Sequence, residues 1–193
     1  MVIVIGKRVS LCVLLILSIL SGCTPMNVEQ FSGRSPTLLP EEYFDGRVMA
    51  WGIFEDRFGT LRREFRVDID GRWDGQTLLL KEYFSYSDGE KQRRIWTIRP
   101  QGNGRYSGTA PDIVGAAAGL AAGNALNWRY QMDLKVGDRE WRVRFNDWMF
   151  LQPDGSLINR AKVSKWGLGL GEVTLFFMRE DNLSDQMRKR FVL

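Results

Sequence analysis

Trp128-Arg129-Tyr130-Gln131-Met132-Asp133-Leu134-Lys135-Val136 alternates apolar and polar side chains without a break. Successive side chains of a strand point to opposite faces, so this stretch has one apolar face and one wetted face. Phe65, Val67 and Ile69, set against Arg66, Asp68 and Asp70, repeat the pattern.

Outward from these two, extended stretches recur at 48–55, 61–70, 77–86, 92–99, 105–110, 128–136, 141–151, 157–165 and 172–179. Turn signals lie between them: Asp56-Arg57-Phe58-Gly59, Asp74-Gly75, Ser87-Asp88-Gly89, Gly102-Asn103-Gly104, Val136-Gly137-Asp138 and Pro153-Asp154-Gly155. Asp-Gly pairs suit hairpins because glycine takes the positive φ that their turns demand. The reading is an all-β domain over 43–180, with about eight or nine antiparallel strands whose edges are most simply buried by closure into a barrel. A sandwich is the alternative.

One stretch breaks the alternation. Residues 111–127, Pro-Asp-Ile-Val-Gly-Ala-Ala-Ala-Gly-Leu-Ala-Ala-Gly-Asn-Ala-Leu-Asn, read as a short Gly/Ala-rich helix capped by Asp112. Gly115, Gly119 and Gly123 fall on one nearly smooth face, with Asn124 near the end. The helix is expected either to close one end of the barrel by tight packing or to act as a mobile lid over a ligand entrance, through Asp112, Gly115, Gly119, Gly123 and Asn124.

The N-terminus is an address. Lys7-Arg8, an apolar run from Val9 to Leu20 and then Ser21-Gly22-Cys23 give the pattern of a secretory signal over 1–22. Leu20-Ser21-Gly22-Cys23 resembles the bacterial lipobox, in which the cysteine thiol takes diacylglycerol before cleavage. Cys23 is therefore the expected lipidation site and the membrane anchor, since two or three acyl chains hold a protein stably where one does not. Thr24 stands where an aspartate would resemble an inner-membrane retention signal, so the expected location is the outer membrane, facing the periplasm. Residues 23–42, rich in Pro, Ser, Thr and Asn, are expected to be a flexible tether. Residues 181–193, with Arg188-Lys189-Arg190, are expected to be a polar tail, either a short helix or a frayed end.

Composition excludes several chemistries. The chain of 193 residues has no histidine, which rules out a His-based triad, His-ligated zinc or haem, and a histidine pH switch. Two cysteines, one of them inside the signal, give neither a disulfide framework nor a thiolate metal cage. The net charge of +4 is halved when Lys7 and Arg8 leave with the signal, so no nucleic-acid partner is implied. The glycine-rich stretch lacks both phosphate-loop and dinucleotide spacing, and no cofactor is expected.

Polar residues that share a face with apolar ones carry the site. Glu82 falls in step with Leu78, Leu80 and Phe84; Arg94 with Trp96 and Ile98; Asp147 with Val143, Phe145 and Met149; Arg63 with Leu61 and Phe65; Asn159 with Leu157 and Ala161. A buried charge needs a partner, so these groups meet one another or a ligand. On the first reading Arg94 pairs with Glu82 and Arg63 with Asp147 inside a dry aromatic core. On the second, Arg63 or Arg94 grips a carboxylate or phosphate whose acyl tail lies among the aromatics. The candidate ligand-binding residues are Arg63, Glu82, Arg94, Trp96, Trp128, Phe145 and Asp147. Trp148 and Phe150 face the other way and are candidates for an exposed contact with an envelope protein. No nucleophile–base or metal-ligand spacing appears, so no catalytic residue is assigned.

Several strings together carry a resemblance: Ala50-Trp51-Gly52, Asp56-Arg57-Phe58-Gly59, Phe84-Ser85-Tyr86-Ser87-Asp88-Gly89-Glu90, Arg94-Ile95-Trp96, Gly108-Thr109-Ala110-Pro111-Asp112, Gly123-Asn124-Ala125-Leu126-Asn127-Trp128 and Asp147-Trp148-Met149. They are similar to the bacterial lipoprotein family called domain of unknown function 3833, over nearly all of 40–180. The resemblance implies a lipocalin-like architecture and a setting near membrane-lipid chemistry, and it brings no established activity or catalytic residue. Three functions stand in order: a membrane-anchored barrel that binds or carries a lipid or other hydrophobic ligand in the periplasm, a structural or interaction lipoprotein of the envelope, and a cofactor-free lipid-modifying enzyme.

Overall fold

The computed structural model of the protein describes residues 26–136 and 139–190. The signal peptide expected over 1–22 and the expected lipidation site Cys23 lie outside the described residues. The strands form one antiparallel meander, and β1 (Gly46–Asp56) closes the ring on β10 (Leu168–Arg179), from Val48 opposite Arg179 to Asp56 opposite Gly171. Between them run β2 (Leu61–Trp73), β3 (Leu78–Tyr86), β4 (Lys91–Gly102), β5 (Arg105–Thr109), β6 (Ala117–Ala122), β7 (Ala125–Val136), β8 (Arg139–Leu151) and β9 (Leu157–Lys165). Closure leaves no unpaired edge, which is what so many consecutive strands require.

The alternation that defined β7 sets its faces. Leu126, Trp128, Tyr130 and Met132 point inward, and Arg129 and Asp133 point out. Arg142 and Arg144 of β8 and Arg160 and Lys162 of β9 are also outside and exposed. An apolar lumen inside a charged wall is the reverse of a membrane-spanning barrel, whose apolar band faces outward.

The hairpin turns repeat one device. Asp88 Oδ1 accepts from the Glu90 N–H at 3.0 Å while Gly89 takes φ +87°. Asp56, Asp74 and Asp154 hold their turns in the same way, each accepting backbone N–H groups a few residues on.

Antiparallel order puts the β1–β2, β3–β4, β5–β6, β7–β8 and β9–β10 connections at one pole and the remaining turns at the other. The second pole is closed. A one-turn helix, Pro40–Tyr43, and Phe44 cover it: the Tyr43 hydroxyl donates to the carbonyls of Gly155 at 3.2 Å and Phe177 at 3.3 Å. Gly71 has no side chain because a Cβ there would lie 1.6 Å from the Phe44 carbonyl oxygen.

Three expectations are corrected. The Gly/Ala-rich stretch is not a helix. Residues 117–122 form β6, which fills the ring between β5 and β7 and raises the strands to ten. Its small residues serve a period of two, not four. Gly119 of β6 and Gly108 of β5 lie beneath the flat Trp128 ring, where a Cβ would come within 2.5 Å and 2.6 Å of it, while Leu120 and Ala122 face outward. Leaving β6 as a helix would strand the hydrogen-bonding edges of β5 and β7, and that outweighs the helix propensity of alanine.

The stretch 23–42 is not a free tether in its described part. Val28–Phe31 forms a 3₁₀ turn whose Val28 and Phe31 are buried, and the Leu38 N–H donates to the Gly123 carbonyl at 2.8 Å. The folded unit therefore begins near Val28 and not at Tyr43, because this segment has apolar side chains that match an apolar patch on the wall.

That patch supplies the third correction. Trp148 and Phe150 do face outward, but Phe31 packs on both, with ring centroids 6.1 Å and 5.3 Å away, so Trp148 is buried. At the other end, the tail expected over 181–193 forms a short turn and a helix, Asp185–Arg190, tied down by Leu183, which is buried against Met49.

Candidate ligand cavity

The barrel encloses a cavity of about 840 Å³ that runs from the open pole to the floor made by Pro40 and Phe44. Its walls are mostly apolar, with Phe65, Phe84, Trp96, Trp128, Phe145 and Leu175 among the lining residues. The aromatics hold one another: Tyr130 stacks on Phe145 at 4.9 Å and 4°, and Trp96 meets Trp128 at 5.8 Å and Tyr130 at 5.5 Å, both edge-on. Rings fixed in this way present a rigid surface that loses little entropy on binding.

A polar belt crosses this lumen at mid-height. From β4, Arg94 reaches Asp112, Nε lying 3.1 Å and 2.9 Å from the two carboxylate oxygens and NH2 2.9 Å from one of them. Its NH1 stands 3.7 Å from Glu82 Oε2 on β3, and NH2 contacts Met132 Sδ at 3.7 Å. Burial opposes the Arg94 charge, and Glu82, Tyr130 and Asp112 outweigh it, holding the guanidinium charged. Asp112 is positioned by its own loop: Ile113 bridges to Met132, the Val114 N–H donates to the Gln131 carbonyl, and the Asp133 N–H donates to the Asp112 carbonyl.

Across the ring, Asp147 on β8 and Asn159 on β9 are 5% and 1% exposed. Asp147 Oδ1, Asn159 Oδ1 and Glu82 Oε2 have no hydrogen-bond partner. Burial raises the Asp147 carboxyl to about 7, against a hydrogen bond from Asn159 and the charge of Arg94. Burial likewise raises Glu82 to about 7, with Arg94 opposing the shift and Asp112 adding to it. The Tyr130 phenol is pushed well above its ordinary value, chiefly by burial and then by Asp147, and is neutral.

Glu82, Arg94, Trp96, Trp128, Phe145 and Asp147, all singled out from the sequence, line this one cavity. Arg94 faces Glu82 at 3.7 Å, the pairing of the first of the two readings. Arg63 does not reach Asp147. It sits near the mouth at 32% exposure, donates to Asp88 and Glu90 at 2.8 Å each, and lies 3.7 Å over the Tyr86 ring. Alternation gives the face a side chain uses and not its height or its place around the ring, and that is why this pairing misled.

The proposed lid does not exist as a unit. Asp112 lies in the β5–β6 loop as the partner of Arg94, Gly115 is exposed in the same loop, and Gly119 lies under Trp128. Gly123 and Asn124 are at the closed pole, where the Asn124 amide donates to the Leu151 carbonyl at 2.9 Å. Tyr130 and Asn159, two polar groups beside the belt, are not among the ligand-binding residues read from the sequence. Alternation presents Tyr130 only as an apolar position of its strand, and it places Asn159 on the inward face without giving it a role. Among the described residues, no group of three or more His, Cys, Asp or Glu side chains is arranged to hold a metal ion.

Fold and site together define a class: a closed up-and-down β-barrel with an open-mouthed, largely apolar cavity. The sequence model of the family described as "Protein of unknown function (DUF3833)" matches residues 17–179, and the chain belongs to that family. Among solved structures, the chain is similar to apocrustacyanin C1 at 12% identity, covering 86% of this chain and 83% of that one, with a TM-score of 0.35. No curated protein matches the chain.

Proposed function

We propose that the protein is a binding barrel that takes one hydrophobic molecule, a lipid or a compound of similar shape, into its lumen. The observation that carries this reading is the cavity itself. At about 840 Å³ it lies within the range of small-molecule sites, roughly 300–1,000 Å³, and its lining is apolar with a few convergent polar groups. A filled interior would have pointed to a scaffold instead. We place the barrel in the bacterial envelope, held by acyl chains on Cys23. In that arrangement Val28 and Phe31, which pack beside the closed pole, bring the anchor to that pole and leave the mouth facing away from it.

A naphthylamine dye that fluoresces in apolar surroundings tests the reading. The protein is expected to take up one dye per barrel, with displacement by long-chain lipids. Ala161→Phe, which pushes a ring into the lumen from β9, is expected to abolish uptake while the fold survives by circular dichroism. Uptake unchanged by that substitution would place the dye elsewhere and remove the support. For the anchor, incorporation of labelled palmitate is expected in the native chain and absent in Cys23→Ala.

A further inference from the structure

We propose that the molecule held in the lumen ends in a hydrogen-bond donor, an amine or a hydroxyl, received by Glu82, Asp147 and Asn159, and that carboxylate- and phosphate-headed lipids are discriminated against. This rests on the binding reading above and specifies the ligand's polar end.

The first ground is that Arg94 and Arg63, the two arginines singled out from the sequence, are already engaged. Asp112 takes the Nε–NH2 edge of the Arg94 guanidinium and Glu82 faces NH1 at 3.7 Å, while Arg63 is held between Asp88 and Glu90. An incoming anion would have to displace a carboxylate or sit against one, and in a low-dielectric lumen that repulsion is large.

The second ground is the set of orphaned acceptors. Asp147 and Asn159 are more than nine-tenths buried, line the cavity, and each keeps an oxygen without a partner; Glu82 Oε2 also makes no hydrogen bond and has only the 3.7 Å ion pair with Arg94. Buried polar atoms are almost always satisfied, so two unsatisfied acceptors side by side on β8 and β9, with a weakly held carboxylate facing them, point to donors that the chain itself does not supply. Glu82 on β3 and Asp147 on β8 lie on opposite sides of the ring, so one small head group between the walls is offered acceptors from two directions. Among the described residues Arg94 is the base of this belt against the acids Glu82, Asp112 and Asp147, which adds an electrostatic preference for an ammonium over a neutral hydroxyl.

The test compares ligands that share one tail. Decylamine, decanol and decanoate, each below its aggregation limit, compete for bound naphthylamine dye in the chain from Asn27 onward, which contains the closed ring and every described segment packed on it. The expected order at pH 7.5 is amine, then alcohol, then acid, with at least about tenfold between amine and acid, the factor that corresponds to one net hydrogen bond or charge contact. Glu82→Gln with Asp147→Asn is expected to shrink that ratio to below about threefold by weakening the amine and strengthening the acid. Decanoate binding as tightly as decylamine in the native chain would overturn the inference and leave the binding barrel standing. An unchanged ratio in the amide variant would also overturn it. Absence of dye uptake altogether would remove the binding reading and this inference with it.

Discussion

Arg94 holds Asp112 on one side and faces Glu82 at 3.7 Å on the other, so its removal leaves three carboxyl groups in one belt with no base. Arg94→Met is therefore expected to destabilise the fold by about 3 kcal/mol in urea unfolding, the range for breaking a largely buried pair. The loss should be smaller at pH 5 than at pH 8, since at the lower pH Glu82 and Asp147 are protonated. The native protein carries the same sign. Carboxyls raised to about 7 by folding bind protons that the unfolded chain has already released above about pH 4.5, so the folded state gains protons relative to the unfolded one across that window. Stability contributed by these two groups is full below about pH 4 and declines as pH rises through 7. Thermal melts from pH 4.5 to 8 should show this decline superimposed on the rest of the chain's titration, and Glu82→Gln with Asp147→Asn should remove it; a slope unchanged in that variant would contradict the assignment. At this scale the sequence was legible as to face. Glu82, Arg94 and Asp147 were placed inward by nothing more than their step with Leu80, Trp96 and Phe145. Which of them meet depends on strand order and on height along the barrel, neither of which alternation encodes, and so Asp112 was read as a helix cap when it is the partner of Arg94.

The β5–β6 pair shows how an element escapes its own composition. Alanine and glycine every few residues give helical spacing, yet Gly108 and Gly119 are small because Trp128 lies across both. The two readings differ in sign for one substitution. In a helix Gly119→Ala would stabilise by about 1 kcal/mol; in β6 its methyl group would enter the Trp128 ring, and a loss of about 1–3 kcal/mol with a shift in tryptophan fluorescence is expected. The N-terminal segment makes a second case. Phe31 covers Trp148 and Phe150 on the outer wall, so Phe31→Ala is expected to cost about 3 kcal/mol and to redden tryptophan emission as Trp148 meets water. Proline and serine around it suggest a linker, and the apolar residues that dock it, Val28, Phe31 and Leu38, are too widely spaced to give a period. The strands that carry the long alternations, β2, β7 and β8, were readable because one face meets an apolar lumen and the other meets water along most of their length.

For the whole molecule, one architectural fact governs function: the closed ring leaves a lumen that its own side chains do not fill. The number of consecutive strands and the need to bury their edges led from sequence to a barrel, while the volume inside it depends on shear and on side-chain packing that no periodicity reports. The single most direct measurement is native mass spectrometry of the chain from Asn27, secreted by a bacterial host behind a cleavable signal, purified without detergent and followed by solvent extraction. The expected result is one hydrophobic molecule per chain, bearing an amine or hydroxyl and lost in Ala161→Phe. A bare mass that stays bare when lipids are offered would contradict the binding barrel.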